Sequence, residues 1–143
     1  MIILLVPLLL ASCMSNNIVR NKMTAQVNVF GIQLFSDIDY REINGVVATE
    51  EPCLKGYERN FDALDVSIGY GIDRKIRKIT IRNPHTSLFE VKPGMTLQEG
   101  RQKIAQAGFS ESAQPFTFRT DGYSLTFLVD GDKIFGMRLE SLD

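Results

Sequence analysis

Few residues of this sequence belong to the types that act as nucleophiles, metal ligands or proton carriers. The 143 residues include two cysteines, Cys13 and Cys53, and a single histidine, His85. A zinc site needs three or four His, Cys or carboxylate ligands, and nothing near His85 or Cys53 provides the spacing. A serine triad would have to use His85, and no serine lies in a Gly-x-Ser-x-Gly motif. The sequence therefore predicts no catalytic residue, metal or cofactor, and places His85 in a surface turn.

Three other patterns that resemble chemical sites have simpler structural explanations. Asp62 and Asp65, or Glu50-Glu51, could pair for acid–base work, but nothing fixes their separation, so we expect exposed carboxylates. Gly69-Tyr70-Gly71 leads into a turn, whereas a dinucleotide fingerprint leads into a helix. Asp130-Gly131-Asp132 lacks the remaining ligands of a calcium loop and is typical of a hairpin turn.

Composition indicates a globular protein that does not bind nucleic acid. The chain is 44% hydrophobic and 23% charged, as expected for a folded domain. Its formal net charge of −1 lacks the excess of Lys and Arg that binding to phosphates requires. One basic run could face lipid headgroups or an acidic partner, or could form a solvated sheet face that discourages strand addition: Arg74, Lys75, Arg77, Lys78 and Arg82.

The first thirteen residues form the most specific pattern in the chain. Residues 1–11 are apolar and are followed by Ser12 and Cys13. Eleven residues at ~1.5 Å each reach only about 16 Å, against a hydrocarbon core of ~30 Å. The length therefore suits the apolar region of a signal peptide rather than a transmembrane helix. The alternative is a buried strand or helix with a free cysteine at its end.

Leu10-Ala11-Ser12-Cys13 resembles the lipobox of bacterial lipoproteins. The resemblance implies that a diacylglyceryl group is attached to the sulfur of Cys13 and that the chain is cut between Ser12 and Cys13. The new amino end would then often be acylated with a chain such as palmitate. Two or three acyl chains are enough for stable anchoring. The protein would be held on the exported side of a membrane of the cell envelope. With Cys13 lipidated, Cys53 has no second cysteine for an intramolecular disulfide, and we expect it to be a buried thiol or a partner-forming one.

The rest of the chain contains an internal repeat. Phe-Gly-Ile-Gln-Leu at 30–34 matches Pro-Gly-Met-Thr-Leu at 93–97, and Gly31 and Gly45 each recur 63 residues later. Lys-Ile-x-x-Ile-x-Ile at 75–81 matches Lys-Ile-x-x-Met-x-Leu at 133–139, at a spacing of 58. Three matches in the same order favour a duplication. The predicted organisation is a signal peptide at 1–12, a lipidated tether at 13–26, and two α+β units at 27–84 and 85–143.

Helices and strands are both expected in each unit. Thr96-x-x-Glu99 is a capping box and Gly108 suits a helix end, while acids after Ser36 predict a shorter helix that ends at Gly45. Alternation predicts strands whose apolar faces carry Leu64, Val66, Ile68 and Tyr70; Ile79 and Ile81; Tyr123, Leu125, Phe127 and Val129; and Phe135, Met137 and Leu139. A third strand in the second unit is predicted at 116–119. The fold class that follows is α+β, an antiparallel sheet with short helices on one side.

This order of segments resembles the tandem repeat of the beta-lactamase-inhibitor-protein-like fold, which small outer-membrane assembly lipoproteins also show. The resemblance rests on the Gly-Ile/Met-x-Leu entry, the helix that ends in Gly, and the Lys-Ile-x-x-Ile-x-Ile strand, and it covers roughly residues 30–140. It implies a module that binds other proteins, and no catalytic residue carries over. We therefore expect a non-catalytic binding or assembly-accessory module with an envelope protein as partner. An inhibitor of a secreted enzyme and a small envelope enzyme are the alternatives.

Overall fold

The structure, a computed structural model, describes residue 23 and residues 26–142. The predicted signal peptide at 1–12, the cleavage site at Ser12 and Cys13, the lipidation of Cys13 and most of the predicted tether lie outside the described residues.

One antiparallel sheet of eight strands dominates the described part of the chain. Its strands are β4 Thr49–Cys53, β5 Gly56–Phe61, β6 Val66–Gly71, β7 Ile76–Ile81, β9 Ser110–Glu111, β10 Thr117–Thr120, β11 Tyr123–Asp130 and β12 Lys133–Ser141. Their order in the sheet is β4-β5-β6-β7-β12-β11-β10-β9, and all neighbours are antiparallel. Short pairs lie outside this sheet: β1 Val27–Asn28 with β8 Ser87–Leu88, and β2 Glu42–Ile43 with β3 Val46–Val47.

The sheet consists of two four-stranded meanders that meet at their last strands. Strands β4 to β7 follow one another in space as they do in sequence, and so do β9 to β12. The final strands β7 and β12 pair at the centre, with Ile79 opposite Leu139 and Ile81 opposite Met137. These four side chains are fully buried. Because apolar residues face each other across the junction, the two meanders share one core, and neither has a core of its own.

The two meanders share an irregularity at the same place. The register between β6 and β7 shifts at Tyr70, which lies opposite Ile76, so Arg77 is an extra residue. The register between β11 and β12 shifts in the same way at Val129, which lies opposite Ile134, so Phe135 is the extra residue. Such β-bulges are specific local features of a strand. Their equivalent positions favour the predicted duplication.

Each bulged strand begins by binding a preceding segment through two backbone hydrogen bonds. Ile134 N donates to Met95 O at 2.9 Å and Gly94 N donates to Ile134 O at 2.7 Å. Ile76 N donates to Ser36 O at 2.9 Å and Phe35 N donates to Ile76 O at 2.8 Å. The structural equivalent of Gly94 is therefore Phe35 and not Gly31, so the sequence match placed the first entry segment a few residues too early.

The helix predicted in the second unit is confirmed. Helix α1 spans Leu97–Gln106, its N-cap Thr96 accepts a hydrogen bond from Glu99 N at 3.2 Å, and Gly108 follows it with a φ of 95°. Gly100 is required by packing, because a Cβ there would lie 2.3 Å from Ile134 Cδ1. The absence of a side chain at Gly100 therefore lets the helix lie directly on β11 and β12.

The predicted α+β class is wrong. The described part of the chain is mostly β, with 47% of its residues in strands and 12% helical, and residues 26–142 contain α1 as their one α-helix. The helix expected between Ser36 and Gly45 is absent; residues 35–40, here called the strap, are irregular. Each exposed acid at the start of a helix stabilises the helix by only about 0.3–1 kcal/mol. The strap instead uses its backbone groups to bond Ile76 and the hydroxyl of Tyr70.

Two details of the strand predictions are also wrong, for physical reasons. Phe135 does not share the buried face with Met137 and Leu139; the bulge turns Ile134 inward and leaves Phe135 46% exposed. Leu64 lies in a short 3-10 turn, Asp62–Leu64, before β6 begins. Alternation by itself cannot locate a bulge, because one extra residue reverses the faces of everything before it.

Replacing Gly100 with alanine should destabilise the protein. Alanine favours a helix by about 1 kcal/mol, but the clash with buried Ile134 costs about 1–3 kcal/mol. We expect the free energy of unfolding, measured with urea, to fall by about 1 kcal/mol.

The matched control is Ile134→Val, which removes the clashing Cδ1 atom and costs about 1 kcal/mol alone. The double variant should lose clearly less than the sum of the single losses. Additive losses, or a Gly100→Ala protein as stable as wild type, would contradict this packing.

Candidate binding site

The sheet has one apolar face and one polar face. The helix and the connecting segments pack on the apolar face, where the core side chains are buried. The opposite face, here called the polar face, carries charged side chains that are 25% to 40% exposed. It extends over both meanders, and three of its short polar residues, Thr80, Thr117 and Ser124, are buried among their neighbours.

A row of charged groups crosses the polar face at the junction of the meanders. Glu58, Gly69, Lys78 and Glu140 lie opposite one another on β5, β6, β7 and β12. Lys78 Nζ reaches Glu58 Oε2 at 2.6 Å, and a Cβ at Gly69 would lie 3.0 Å from the Lys78 side chain. The glycine thus leaves the space that the lysine side chain occupies to reach the glutamate.

In the next row of the polar face, short polar side chains lie on both sides of Arg138, whose Nε is 2.6 Å from Glu140 Oε1. Ser67 Oγ donates to Asn60 Oδ1 at 2.8 Å, and the hydroxyls of Thr117 and Thr126 are 3.2 Å apart. Thr80, between them on β7, is only 8% exposed. The short, hydrogen-bonded side chains of this row would lose little entropy when a partner covers them.

The second candidate surface lies at one end of the sheet, where three aliphatic side chains are exposed. Leu54 is in the β4–β5 turn, Ile72 is in the β6–β7 turn, and Leu142 follows β12. Leu54 is fully exposed, Ile72 is 85% exposed and Leu142 is 49% exposed. They border an open groove of about 1070 Å³, which draws residues from both meanders. We call this the hairpin end of the sheet.

Cations surround these aliphatic tips. Lys55 follows Leu54, and Arg74 and Lys75 follow Ile72; all three are exposed. The one acid in the two turns, Asp73, is held by Arg77, whose Nη2 lies 2.6 Å from Asp73 Oδ2. The hydrogen bond from Arg77 lowers the pKa of Asp73 below its usual value. Asp73 is therefore neutralised locally, and the turns present a net positive charge.

The buried thiol that we expected at Cys53 is wrong. Cys53 is an exposed free thiol at the end of β4, beside Leu54, and the alternative of a thiol that joins a partner stays a prediction. Edge strand β4 was not predicted, because its Thr-Glu-Glu-Pro-Cys sequence lacks alternation and all five residues are exposed. An edge strand with Pro and two Glu is protected against pairing with another strand.

Tyr70 connects the strap to the sheet at this end. Its hydroxyl donates to Ile38 O at 2.8 Å and accepts from Tyr40 N at 2.9 Å. Its ring stacks on Tyr57, with centroids 4.8 Å apart. Burial raises the pKa of Tyr70 to about 12, so its hydroxyl stays protonated as a donor.

A buried arginine holds the same strap to the edge of the sheet. Arg59 is 7% exposed, and its Nε lies 2.9 Å from Asp39 Oδ1, while its Nη2 lies 3.2 Å from Glu50 Oε2. Burial opposes the charge of Asp39, but the hydrogen bond from Arg41 and the charge of Arg59 lower its pKa overall. Sequence reasoning considered Glu50 only as an acid–base candidate, and it is part of this ion-pair cluster.

The remaining candidates for chemistry lie apart from one another. His85 is exposed in the turn after β7, as predicted, and its backbone N donates to Asn83 Oδ1 at 2.8 Å. Asp62 and Asp65 are exposed at the opposite end of the sheet from Cys53. The described residues contain no group of three or more His, Cys, Asp or Glu side chains placed to hold a metal ion. No helix within the described part of the chain is long and apolar enough to cross a membrane.

Sequence reasoning missed Leu54 and Ile72. Each is an aliphatic residue inside a turn, next to a charged residue and within two positions of a glycine, and such positions are normally polar. An aliphatic residue in a turn was the feature of the sequence that could have indicated an exposed site. That Leu54 and Ile72 lie at the same end of the sheet follows only from the strand order, which brings the β4–β5 and β6–β7 turns together.

Comparisons with models of known protein families, with curated proteins and with solved structures found no match for this chain. The function is therefore argued from the chemistry of these surfaces.

The hydroxyl of Tyr70 should stabilise the fold in a pH-dependent way. We expect Tyr70→Phe to lower the free energy of unfolding by about 1 kcal/mol at neutral pH, because both hydrogen bonds to the strap are lost. The raised pKa means that this contribution is complete below the ordinary value of 10.0 and is lost as pH rises through about 12. The difference in free energy of unfolding between wild type and Tyr70→Phe, measured with urea, should therefore decrease above about pH 10.

The matched control is Tyr57→Phe. Within the described residues, the Tyr57 hydroxyl makes no hydrogen bond, and its loss should change the free energy of unfolding by less than about 0.5 kcal/mol. Equal losses in the two variants would show that the hydroxyl of Tyr70 does not hold the strap.

Proposed function

We propose that this chain is a lipid-anchored protein of the bacterial cell envelope whose folded domain is a non-catalytic binding module. The anchor is the diacylglyceryl group on Cys13, after cleavage between Ser12 and Cys13. The domain then lies on the exported side of the membrane and binds an envelope protein through the polar face. The lipobox pattern supports the anchor, and the geometry of the sheet supports the binding role.

The observation that carries the binding role is the continuity of the polar face across both meanders. Glu58 and Lys78 belong to the first meander and Glu140 to the second, yet they form one row because β7 and β12 pair. The side chains in this row are held by ion pairs at 2.6 Å. Exposed ion pairs contribute at most about 1 kcal/mol to stability, so they matter more for orienting charges toward a partner.

The anchor is tested by the intact mass of the protein from the membrane fraction of producing cells. We expect wild type to lack residues 1–12 and to carry a diacylglyceryl group, because the lipobox pattern places the lipid on Cys13 and the cleavage directly before it. Cys13→Ala should remain unmodified and uncleaved, and Cys53→Ser is the matched control that should keep the modification. An unmodified full-length wild-type chain would remove the lipoprotein proposal.

The binding role is tested by placing a photoreactive amino acid on the polar face in living cells. Ser67 in the first meander and Thr126 in the second should crosslink the same envelope protein, because one face spans both. Gln102, exposed on the helix that covers the other side, is the matched control and should not. The charge reversal Lys78→Glu, with Glu58→Lys to keep the ion pair, should reduce the crosslink several-fold, because it inverts the pattern presented to a partner.

Crosslinks of equal yield from Gln102, or different proteins captured from Ser67 and Thr126, would contradict a single binding face. That result would leave the lipid anchor untouched, since the mass measurement tests it independently.

A further inference from the structure

The hairpin end of the sheet combines exposed aliphatic tips with unpaired cations. Leu54 and Ile72 extend from turns that are neighbours, because β4, β5, β6 and β7 are consecutive in the sheet. Within the described residues, Lys55, Arg74 and Lys75 make no ion pair with an acid. Exposed aliphatic side chains next to cations bind anionic membrane interfaces, because the aliphatic groups insert at the acyl boundary and the cations are attracted to the headgroups.

The opposite end of the sheet, here called the acidic end, carries more acids than bases. Two exposed cations, Arg82 and Lys133, lie there beside four exposed aspartates: Asp62, Asp65, Asp130 and Asp132. The β10–β11 turn of the second meander places the exposed acid Asp121 at the hairpin end too, so the unpaired cations Lys55, Arg74 and Lys75 concentrate on the first meander's side of that end. An anionic surface would attract one end and repel the other, which defines an orientation for the domain.

We propose that the hairpin end docks onto the anionic headgroup region of a lipid bilayer, with Leu54 and Ile72 inserted at the boundary of the acyl chains. The proposal rests on the membrane location given by the proposed lipid anchor. It makes the hairpin end a second contact beside that anchor, and two contacts hold a domain in one orientation where a single lipidated tether would not.

Docking in this orientation has a consequence for the polar face. The strands run from the hairpin end to the acidic end, so they would stand away from the membrane, and the polar face would point sideways along the bilayer surface. The row of Glu58, Lys78 and Glu140 would then meet proteins that lie in or on the same membrane. In this orientation the domain would use the hairpin end to bind lipid and the polar face to bind protein at the same time.

Cys53 allows a direct test, because its exposed thiol lies next to Leu54. The full chain carrying Cys13→Ala has a single cysteine, which is labelled with an environment-sensitive fluorophore and mixed with vesicles of phosphatidylglycerol and phosphatidylcholine. We expect a blue shift of the label and quenching by lipids that carry a nitroxide near the headgroup. Both signals should weaken with vesicles of phosphatidylcholine alone and at high salt, since charges at the interface are screened.

Three variants separate docking by the hairpin end from attachment by the apolar residues 1–11. Leu54→Ser with Ile72→Ser should reduce the ratio of docked to undocked label by about tenfold or more, because two aliphatic side chains lose their burial. Lys55→Glu with Arg74→Glu should reduce it by a similar factor. The matched control moves the label to the acidic end, with Cys53→Ser and Asp62→Cys, and should give no blue shift.

Three results would overturn the proposal. They are a Cys53 label that does not respond to anionic vesicles, an equal response from the label at position 62, and a response that needs an added acidic protein instead of lipid. None of these bears on whether Cys13 is lipidated in cells, because the vesicle experiment uses the Cys13→Ala chain. Failure of the docking inference and failure of the lipid anchor are therefore distinguishable.

Discussion

The pairing of β7 with β12 is the constraint on which the rest of this structure depends. It places Ile79 and Ile81 against Leu139 and Met137, all fully buried, and so joins two meanders into one sheet with one core. A four-stranded meander alone would leave one flank of its apolar face in water. Joining the last strands removes two edges at once and leaves only β4 and the two-residue β9 exposed as edges.

The same pairing determines which surfaces remain for function. With the apolar face covered by α1 and the connecting segments, polar side chains of both meanders form one continuous surface. The turns β4–β5 and β6–β7 come to the same end because the strands between them are antiparallel. Tyr70 and Arg59 then fix the strap to that end through its backbone and through Asp39.

Some predictions were confirmed because the interactions that form these elements lie between residues close together in the sequence. The capping box at Thr96 and the glycine at position 108 define α1 by bonds within a few residues, and the turn before Lys133 follows from its own sequence. The prediction of a helix in the first unit was wrong because the interactions of that segment are not local. The backbone groups of the strap bond Ile76 and Tyr70, which are at least thirty positions away in the chain, and local helix propensity does not indicate such partners.

The sequence by itself predicted the helix of the second unit and the alternation of the central strands, because both patterns lie within a few neighbouring residues. The duplication and the lipobox at Cys13 stay predictions from sequence patterns. Tertiary structure decided the mostly β class, the bulges at Arg77 and Phe135, the exposure of Cys53, and the meeting of Leu54 with Ile72 at one end. The reason is physical. Periodicity shows which residues share a face, but the neighbours of that face are set by strand order, which arises from long-range burial of apolar surface.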